Sequence, residues 1–393
     1  MDIALAGVVA VVVAALVFDF TNGFHDAANS VGTVVATRAL PARWAPLFSA
    51  TFNFVAYFFV GTAVANTIAK TVNVPYAGLS VVFAALLAAI MWNYLTWRLG
   101  MPSSSSHAVI GGLVGAGIAA GGLAAISWHS VTTAAVGIVA SPLAAIVITF
   151  AAMYLVFGIQ RAFRLRDEHP VFKGLQLVSA AAISFGHGAN DAQKTMGVIA
   201  ALLLGSGHTA LAADGKTVLV PEWVALSSYS AIAVGTLWGG WKIIETMGLR
   251  LTTLHAHSGA AANIGATTAI LGATSLGVPV STTQAAASSV VGAGISSGRG
   301  ANWRVVGTML ISWAVTIPAS ALVAGGLFEL TRLPTVLAWV TIGCVLGAFG
   351  TWAIVAMAHT IHAADVEAEI LSPAELDEAV EPHFQLSGHG PLD

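Results

Sequence analysis

The chain has 393 residues, of which 57% are hydrophobic and only 8% are charged. A water-soluble domain usually has about a quarter of its residues charged, so this composition excludes that class. The formal net charge is −3, and eight of the 18 acidic residues lie between Asp365 and Asp393, a stretch without lysine or arginine. We therefore expect a slightly basic membrane body followed by a short acidic tail.

Long runs of Ala, Leu, Val and Ile divide the chain into candidate membrane segments. Only helices and closed barrels span a bilayer, and a helix needs about 20 apolar residues to do so. The first half contains segments near 3–36, 44–69, 77–99, 104–126 and 130–159, and the second half contains segments near 174–204, 222–249, 258–277, 281–296, 303–331 and 336–361. The sequence predicts an all-α polytopic membrane protein with about 10–12 membrane segments.

The two halves of the chain repeat each other. Residues 20–30, with the letters FTNGFHDAANS, align without gaps on residues 185–195, with the letters FGHGANDAQKT. Residues 101–108 align in the same way on residues 278–285, and both of these are followed by the letters VGAGI. Two ordered matches predict an internal duplication rather than chance similarity between Gly/Ala-rich helices.

Each repeat holds five predicted segments, an odd number, so the second repeat must enter the membrane upside down relative to the first. Inverted repeats with broken helices are typical of secondary transporters. The predicted division is a first repeat at 1–160, a cytoplasmic linker at 161–173, a second repeat at 174–331, a further membrane helix at 332–362 and an acidic cytoplasmic tail at 363–393.

The distribution of basic residues predicts the orientation. Ten Lys and Arg residues fall on the side of the membrane that is reached after the first segment, three fall on the other side, and two lie within segments. Because cytoplasmic loops carry an excess of Lys and Arg, we expect the N-terminus outside and the acidic tail in the cytoplasm, in the inner (plasma) membrane. The N-terminal run lacks the basic region of a secretory signal, so we expect a retained first segment.

The single cysteine, Cys344, lies in an apolar run and has no partner for an intramolecular disulfide. We expect it to be a small buried side chain.

Polar side chains follow a helical stripe in the first segment of each repeat. In the first repeat they recur at steps of three or four residues: Asp19, Asn22, Asp26, Asn29 and Thr33. In the second repeat the stripe contains His187, Asp191 and Lys194, with Asn190 beside it. A charge at this depth costs about 2.5–3.5 kcal/mol, so these residues are functional candidates. The alternative is a structural ion pair between Lys194 and one of the carboxylates.

A second pattern is a proline followed by small hydroxylated residues. Pro102 precedes four serines, and Pro279 stands two residues before Ser281, Thr282 and Thr283. These clusters interrupt helices, and Ser and Thr cap the helix that follows. We expect two re-entrant hairpins whose tips are helix N-termini, which attract anions, and whose hydroxyl groups suit a tetrahedral oxyanion. The alternative is an ordinary polar loop at the membrane surface.

The paired motifs NGFHDAAN at 22–29 and GHGANDAQK at 186–194, with the two Pro-Ser/Thr clusters, resemble the inorganic phosphate transporter (PiT) family. The resemblance covers nearly the whole chain and implies an inverted-repeat transporter. It implies phosphate contacts from Ser104, Ser105, Ser106, Ser281, Thr282 and Thr283, with Gln284 and His107 as weaker candidates. It implies a coupling-cation region with Asp26, Asn29, Asn190 and Asp191, to which the stripes add Asn22 and Lys194.

The sequence departs from the sodium-coupled members of that family, which tend to carry Gly-Ala-Asn-Asp-x-x-Asn in both copies. His25 precedes the aspartate in the first copy, and Lys194 stands where the second copy would have asparagine. An ammonium group cannot bind Na⁺, so the pattern is more similar to the bacterial Pit branch. That resemblance implies proton symport, with phosphate taken as a neutral complex with a divalent metal of unknown identity.

Other functions are less consistent with the residues. Sulfate, also a tetrahedral oxyanion, and sodium coupling remain alternatives, and a passive channel would be revealed by a lack of uphill accumulation. An intramembrane hydrolase is disfavoured because no histidines stand at a metal-ligand spacing, so we do not expect an enzyme. We expect no cofactor besides the coupling cation, H⁺ or Na⁺, and no nucleic acid. The expected partners are inorganic phosphate and the lipid bilayer, with a homodimer as one candidate assembly.

Overall fold

The computed structural model describes residues 3–167, 169–358 and 360–370, and these form helices without a strand. The first half contains α1 (Ile3–Asp26), α2 (Ala28–Ala36), α3 (Ala45–Val55), α4 (Ala63–Ala69), α5 (Leu79–Arg98), α6 (Ser105–Gly121) and α7 (Trp128–Phe163). The second half contains α8 (Pro170–Gly205), α9 (Glu222–Trp238), α10 (Trp241–Glu245), α11 (Ala256–Ser275), α12 (Thr282–Ser296), α13 (Trp303–Thr331), α14 (Thr335–Ala358) and α15 (Ala363–Ile370).

The helices confirm the predicted all-α membrane class. By length and composition, six helical stretches in the described ranges could cross a membrane, or seven if the bent stretch containing α3 and α4 is one span. The helices that fall short of this measure include α8 and α12, which carry the polar motifs. The other helices with candidate site residues, α1, α2 and α6, lie in stretches that meet it.

Two of the predicted segments are broken helices at equivalent places in the two halves. In the first half, the helical stretch Ala42–Phe58, which contains α3, meets α4 at an angle of 87°. In the second half, α9 ends at Trp238, the next residue, Gly239, has a φ of +70°, and α10 starts at Trp241. A positive φ favours glycine because it has no Cβ atom. The first segment, by contrast, is continuous, because Ala27 between α1 and α2 has helical φ and ψ of −50° and −34°.

The two halves pack against each other in reciprocal pairs. In the first half, α6, which forms the fourth predicted segment, packs on α13; its counterpart in the second half, α12, packs on α7. Likewise α1 packs on α9, while α8 packs on α3 and α4. Equivalent segments of the two halves thus make equivalent contacts, and the N-terminal ends of α6 and α12 lie at the polar faces of α1, α2 and α8.

Glycine residues at aligned positions of the two repeats allow these close contacts. A Cβ atom on Gly23 of α1 would lie 2.2 Å from the carbonyl oxygen of Ile232 in α9, and one on Gly188 of α8 would lie 2.4 Å from that of Asn53 in α3. Both distances are far below van der Waals contact. Each glycine stands three residues before an aspartate of the motif, so the close crossing occurs beside the carboxylates.

The C-terminal part corrects one expectation. Cys344 is exposed on the outer surface of α14, rather than buried, because α14 lies at the edge of the bundle with most of its apolar side chains outward. After α14 the chain returns to the body, where Val366 of α15 is buried and Arg38 donates a hydrogen bond to the carbonyl oxygen of Ile370. Most of the predicted acidic tail, 371–393, lies outside the described residues.

Replacing either interface glycine with alanine should destabilise the fold. We expect Gly23→Ala and Gly188→Ala each to lower the melting temperature of the detergent-solubilised protein, with a cost of about 1–3 kcal/mol, because the added methyl group meets the backbone of a neighbouring helix. Gly158→Ala in α7 is the matched control, since nothing lies within 4 Å of its Cβ position. An unchanged melting temperature in the two interface variants would contradict the close crossing.

Candidate functional site

The candidate site lies where the first turns of α6 and α12 meet the polar stripes of α1, α2 and α8. Every side chain predicted from the sequence to bind phosphate or the coupling ion is buried, with at most 4% of its surface exposed. The clusters are therefore not ordinary surface loops. The pattern of polar residues in apolar helices identified them correctly as interior groups.

Two serines begin the helices at the two tips in the same way. The Ser104 hydroxyl oxygen accepts a hydrogen bond from the backbone N–H of His107, and the Ser281 hydroxyl oxygen accepts one from that of Gln284, both at 3.2 Å. These are N-caps, which satisfy one of the free N–H groups of a helix start. The following residues of α6 and α12 keep N–H groups without a partner within the helix, at the positive end of the helix dipole.

The two tips touch each other, and Lys194 joins them. The Ser106 hydroxyl donates to the carbonyl oxygen of Val280 at 3.0 Å. The ammonium group of Lys194 donates to the same carbonyl at 2.9 Å and also to the Ser106 hydroxyl. One buried positive charge on α8 therefore lies against both hairpin tips.

The carboxylate of Asp26 is surrounded by donors from its own helix and from the first tip. His25 Nδ1 lies 2.7 Å from Asp26 Oδ1, and the Ser105 hydroxyl donates to Asp26 Oδ2 at 3.1 Å. On the other side of the ring, His25 Nε2 lies 3.0 Å from the Thr96 hydroxyl, which also contacts the carbonyl oxygen of Trp92.

The His25 ring therefore links α1 to α5 beside the carboxylate. With Nδ1–H donating to Asp26 Oδ1, the Nε2 atom accepts from the Thr96 hydroxyl; in the other tautomer the Thr96 oxygen accepts from Nε2–H. In both cases the ring holds the Asp26 carboxyl group in place.

The carboxylate of Asp191 is the ion-pair partner of Lys194. The ammonium nitrogen lies 2.5 Å from Asp191 Oδ1. The other oxygen, Oδ2, accepts from the Thr282 hydroxyl at 3.1 Å and from the Asn22 amide at 3.4 Å. The structural ion pair considered from the sequence is thus present, and it is part of the site rather than separate from it.

The hydroxyl of Thr282 lies between the two carboxylates. It is 3.1 Å from Asp191 Oδ2 and 3.5 Å from Asp26 Oδ2, and it also accepts from the Asn29 amide. A hydroxyl has one proton, so it donates fully to only one carboxylate at a time. The two aspartates of the repeated motif, distant in sequence, therefore compete for one donor.

His187 completes a group that could hold a cation. Atoms of Asp26, His187 and Asp191 all lie within 4.8 Å of one another. His187 Nε2 is 3.5 Å from Asp191 Oδ2 and makes no hydrogen bond within the described part of the chain, while Nδ1 contacts the amide oxygen of Asn53 at 3.1 Å. Two carboxylate oxygens and an imidazole nitrogen are suitable ligands for a divalent transition metal.

Some predicted residues face other directions. The amide of Asn190 donates to Thr274 at 2.8 Å and accepts from the backbone N–H of Val280 at 3.4 Å, so it holds the second tip against α11 rather than facing the carboxylates. Gln284 has a buried amide oxygen without a partner among the described residues. The sequence reading missed Thr96, because a single threonine in an apolar helix is usual in membrane proteins.

The sequence profile of the Phosphate transporter family matches residues 22–170 and 160–324, which include all the residues of this site. The chain belongs to this family. A probable low-affinity inorganic phosphate transporter of Rhizobium meliloti (strain 1021) is 44% identical over 325 residues, covering 81% of the chain and 94% of the relative. A protein of the same description from Bacillus subtilis (strain 168) is 43% identical over 326 residues, covering 82% and 96%.

A solved structure has the same fold. The structure described as the sodium-dependent phosphate transporter superposes with a TM-score of 0.73 at 24% identity, covering 84% of this chain and 99% of that one. The family transports inorganic phosphate and its members are not described as enzymes. This member is thus a multi-pass membrane protein with its polar motifs gathered between the two halves.

Removing the ammonium group should destabilise the protein through Asp191. We expect Lys194→Met to cost about 3–5 kcal/mol, because it leaves a buried carboxylate without its counter-charge. The double variant Lys194→Met/Asp191→Asn should recover much of that loss, and Lys216→Met in an exposed loop is the matched control. Thermal unfolding of the purified proteins measures the effect; additive losses in the double variant would argue against the ion pair.

Proposed function

We propose that the chain is a secondary active symporter that imports inorganic phosphate together with protons. The observation that carries the proposal is the meeting of two hydroxyl-rich helix N-termini at two buried carboxylates and one lysine. Helix N-termini and hydroxyl donors provide the hydrogen bonds that a phosphate group needs. The carboxylates and the lysine provide the groups that link phosphate binding to a cation.

Phosphate would bind between the first turns of α6 and α12. Ser105 and Thr282 would donate to its oxygens, with the backbone N–H groups of those turns, and Lys194 would contribute a positive charge. In the described structure these two hydroxyls donate to Asp26 and Asp191 instead. Each of these hydroxyl groups has one proton, so it can donate either to phosphate or to a carboxylate, but not fully to both.

This competition accounts for the coupling. A buried carboxylate that loses its donors, beside an anion with one to two negative charges, is stable only if a cation binds with it, because uncompensated burial costs several kcal/mol per ion. A proton taken by Asp26 or Asp191 removes that cost. Phosphate and protons would therefore enter and leave the site together.

We infer that Asp26 is the proton carrier, because Asp191 is paired with the ammonium group of Lys194, whereas Asp26 contacts His25 and Ser105. The ammonium group beside Asp191 would repel a sodium ion at that carboxylate. Sodium coupling, which appears in the description of the solved relative, is the alternative.

A divalent metal could accompany phosphate as cargo. The atoms of Asp26, His187 and Asp191 would hold such an ion next to the phosphate position. A neutral metal–phosphate complex would reduce the charge that has to cross the apolar part of the protein.

A cavity at one end of the bundle is a candidate for the exit of phosphate. It has a volume of about 490 Å³, lies between the end of α2, the start of α8 and the start of α11, and is lined by Arg38, Lys173 and His255 together with Asp167. It is on the side that the distribution of Lys and Arg predicts to be cytoplasmic. We propose that phosphate leaves the tips through this cavity, with the N-terminus of the chain outside.

Uptake into liposomes tests the substrate and the coupling ion. Purified protein should accumulate labelled phosphate when an inward proton gradient is imposed without sodium, and unlabelled sulfate should compete much less than unlabelled phosphate. An inward sodium gradient at equal pH on both sides should drive little uptake. Strong uptake only with sodium would overturn proton coupling, and equal competition by sulfate would overturn the choice of substrate.

The two carboxylates should be required for uphill transport. We expect Asp26→Asn and Asp191→Asn to abolish concentrative phosphate uptake and to keep the fold, because the amide has the same size but cannot bind a proton or cation in the same way. Asp214→Asn is the matched control: hydrogen bonds from Thr217 and from the Lys216 backbone lower the pKa of this exposed carboxyl to about 2. Full uphill transport by either site variant would mean that its carboxylate is structural.

A further inference from the structure

Three helices, α2, α8 and α11, lead from the candidate site to the cavity proposed as the exit for phosphate. The cavity is lined by Thr37 at the end of α2, Lys173 near the start of α8 and His255 directly before α11. At the other end of α2, the Asn29 amide donates to the Thr283 hydroxyl of the second tip. A phosphate ion that leaves the tips for this cavity therefore has to pass between these helices.

Polar side chains follow this route on two of the helices. On α2, Asn29, Thr33 and Thr37 recur every four residues and so lie on one face. On α8, steps of three or four residues connect the site to the cavity: Asp191, His187, Ile183, Ser179, Gln176 and Lys173. Apart from Ile183, every member of the two series is polar, as the lining of a route for an ion requires.

Asn263 of α11 joins the three helices about halfway along this route. Its amide oxygen accepts a hydrogen bond from the Thr33 hydroxyl at 3.0 Å, and its amide nitrogen donates to the Ser179 hydroxyl at 3.3 Å. All three side chains are buried. Because Thr33 stands four residues from Asn29 and four from Thr37, this junction lies between the second tip and the cavity.

On the cavity side of the junction, Gln176 has a buried amide group without a partner. Neither its nitrogen nor its oxygen makes a hydrogen bond within the described part of the chain. The amide lies against Gly259 of α11, where a Cβ atom would be 2.8 Å from the amide oxygen. Gly259 is one turn before Asn263, so the Gln176 amide lies one turn nearer the cavity. Buried polar groups nearly always have partners, so this amide calls for a polar ligand on the route.

We propose that Asn263, with Thr33 and Ser179, forms the inner gate of the transporter, and that phosphate contacts the Gln176 amide once this gate opens. The inference rests on the proposed exit of phosphate through the cavity, and it adds the residues that close that exit. Both hydrogen bonds of Asn263 run between helices, so a separation of the helices breaks them and leaves the hydrogen bonds within each helix intact.

The position of the gate fits a movement of one half of the protein against the other. Thr33 belongs to the first half of the chain, whereas Ser179 and Asn263 belong to the second half. Opening releases the amide donors of Asn263, which phosphate can use together with the Gln176 amide. Hydrogen bonds between helices are thereby exchanged for hydrogen bonds to the passing anion, which keeps the cost of opening small.

The test measures access from each side of the membrane to a thiol placed between the gate and the site. Ile183 lies four residues from Ser179 and four from His187 on α8, so Ile183→Cys provides the reporter. The single native cysteine is removed by Cys344→Ser in every protein that carries the reporter. A charged, membrane-impermeant methanethiosulfonate reagent is applied to one side at a time in sealed membrane vesicles, and the rate of modification is measured.

Thr33→Val keeps the shape of the side chain and removes the proton donated to Asn263. We expect it to speed modification of the reporter from the cavity side about threefold to fivefold, the effect of one hydrogen bond between membrane helices, and to leave the rate from the other side unchanged. Ser179→Ala should act in the same way, whereas Thr33→Ser should keep the original rate. Thr268→Val is the matched control, since the exposed Thr268 donates to the Ile264 carbonyl of its own helix.

Phosphate transport distinguishes a gate from a general loss of stability, and it is measured without the reporter cysteine. Because Thr33→Val favours the state that is open to the cavity, the phosphate concentration for half-maximal uptake should rise, and that for half-maximal efflux from the cavity side should fall. A purely structural role would not move the two concentrations in opposite directions. Gln176→Leu should raise the concentration for efflux and leave access to the reporter unchanged.

The outcomes separate the gate from the proposed function. Unchanged modification rates in both Thr33→Val and Ser179→Ala, or equal acceleration from both sides, would overturn the gate in a protein that takes up phosphate. Unchanged efflux in Gln176→Leu would overturn the contact between phosphate and this amide. A wild type without phosphate uptake would instead contradict the proposed function, whatever the rates of modification.

Discussion

The burial of Asp26 and Asp191 within one apolar body is the constraint on which the rest of this structure depends. Each carboxylate needs a donor or a cation, and the protein provides one from the same polar stripe and one from a hairpin tip: His25 and Ser105 for the first, Lys194 and Thr282 for the second. In the proposed mechanism, phosphate would use Ser105, Thr282 and Lys194 as well. We therefore expect the site to bind an anion only together with a cation.

The architecture brings these groups together through repetition. Each repeat supplies one helix with a buried carboxylate, Asp26 in α1 or Asp191 in α8, and one hairpin tip that begins with a serine N-cap. The first tip contacts Asp26 through Ser105, and the second tip contacts both carboxylates through Thr282. Gly23 and Gly188 permit the close helix crossings beside the carboxylates, because a Cβ atom at either position would overlap a neighbouring carbonyl oxygen. The packing of the helices and the chemistry of the site thus share one short motif.

The polar stripe continues along α1 beyond Asp26. Asp19 lies seven residues earlier on this stripe and is also fully buried. Between them, the amide group of Asn22 donates to Asp191 of α8, so the stripe of the first repeat contacts the carboxylate of the second. The charge of that carboxylate is balanced within α8 by Lys194.

The sequence by itself determined the class of protein, the extent of nearly every helix, the two serine caps and the set of polar residues that lie inside the membrane body. These features depend on local composition and on helical periodicity, which neighbouring residues encode. Tertiary structure alone decided that Thr282 stands between two aspartates, that Asn190 turns to Thr274, that Lys194 joins the tips and that Cys344 faces outward. Periodicity identifies the polar face of a helix but not the neighbour that this face meets, because that contact depends on how helices separated by up to about 250 residues cross in space.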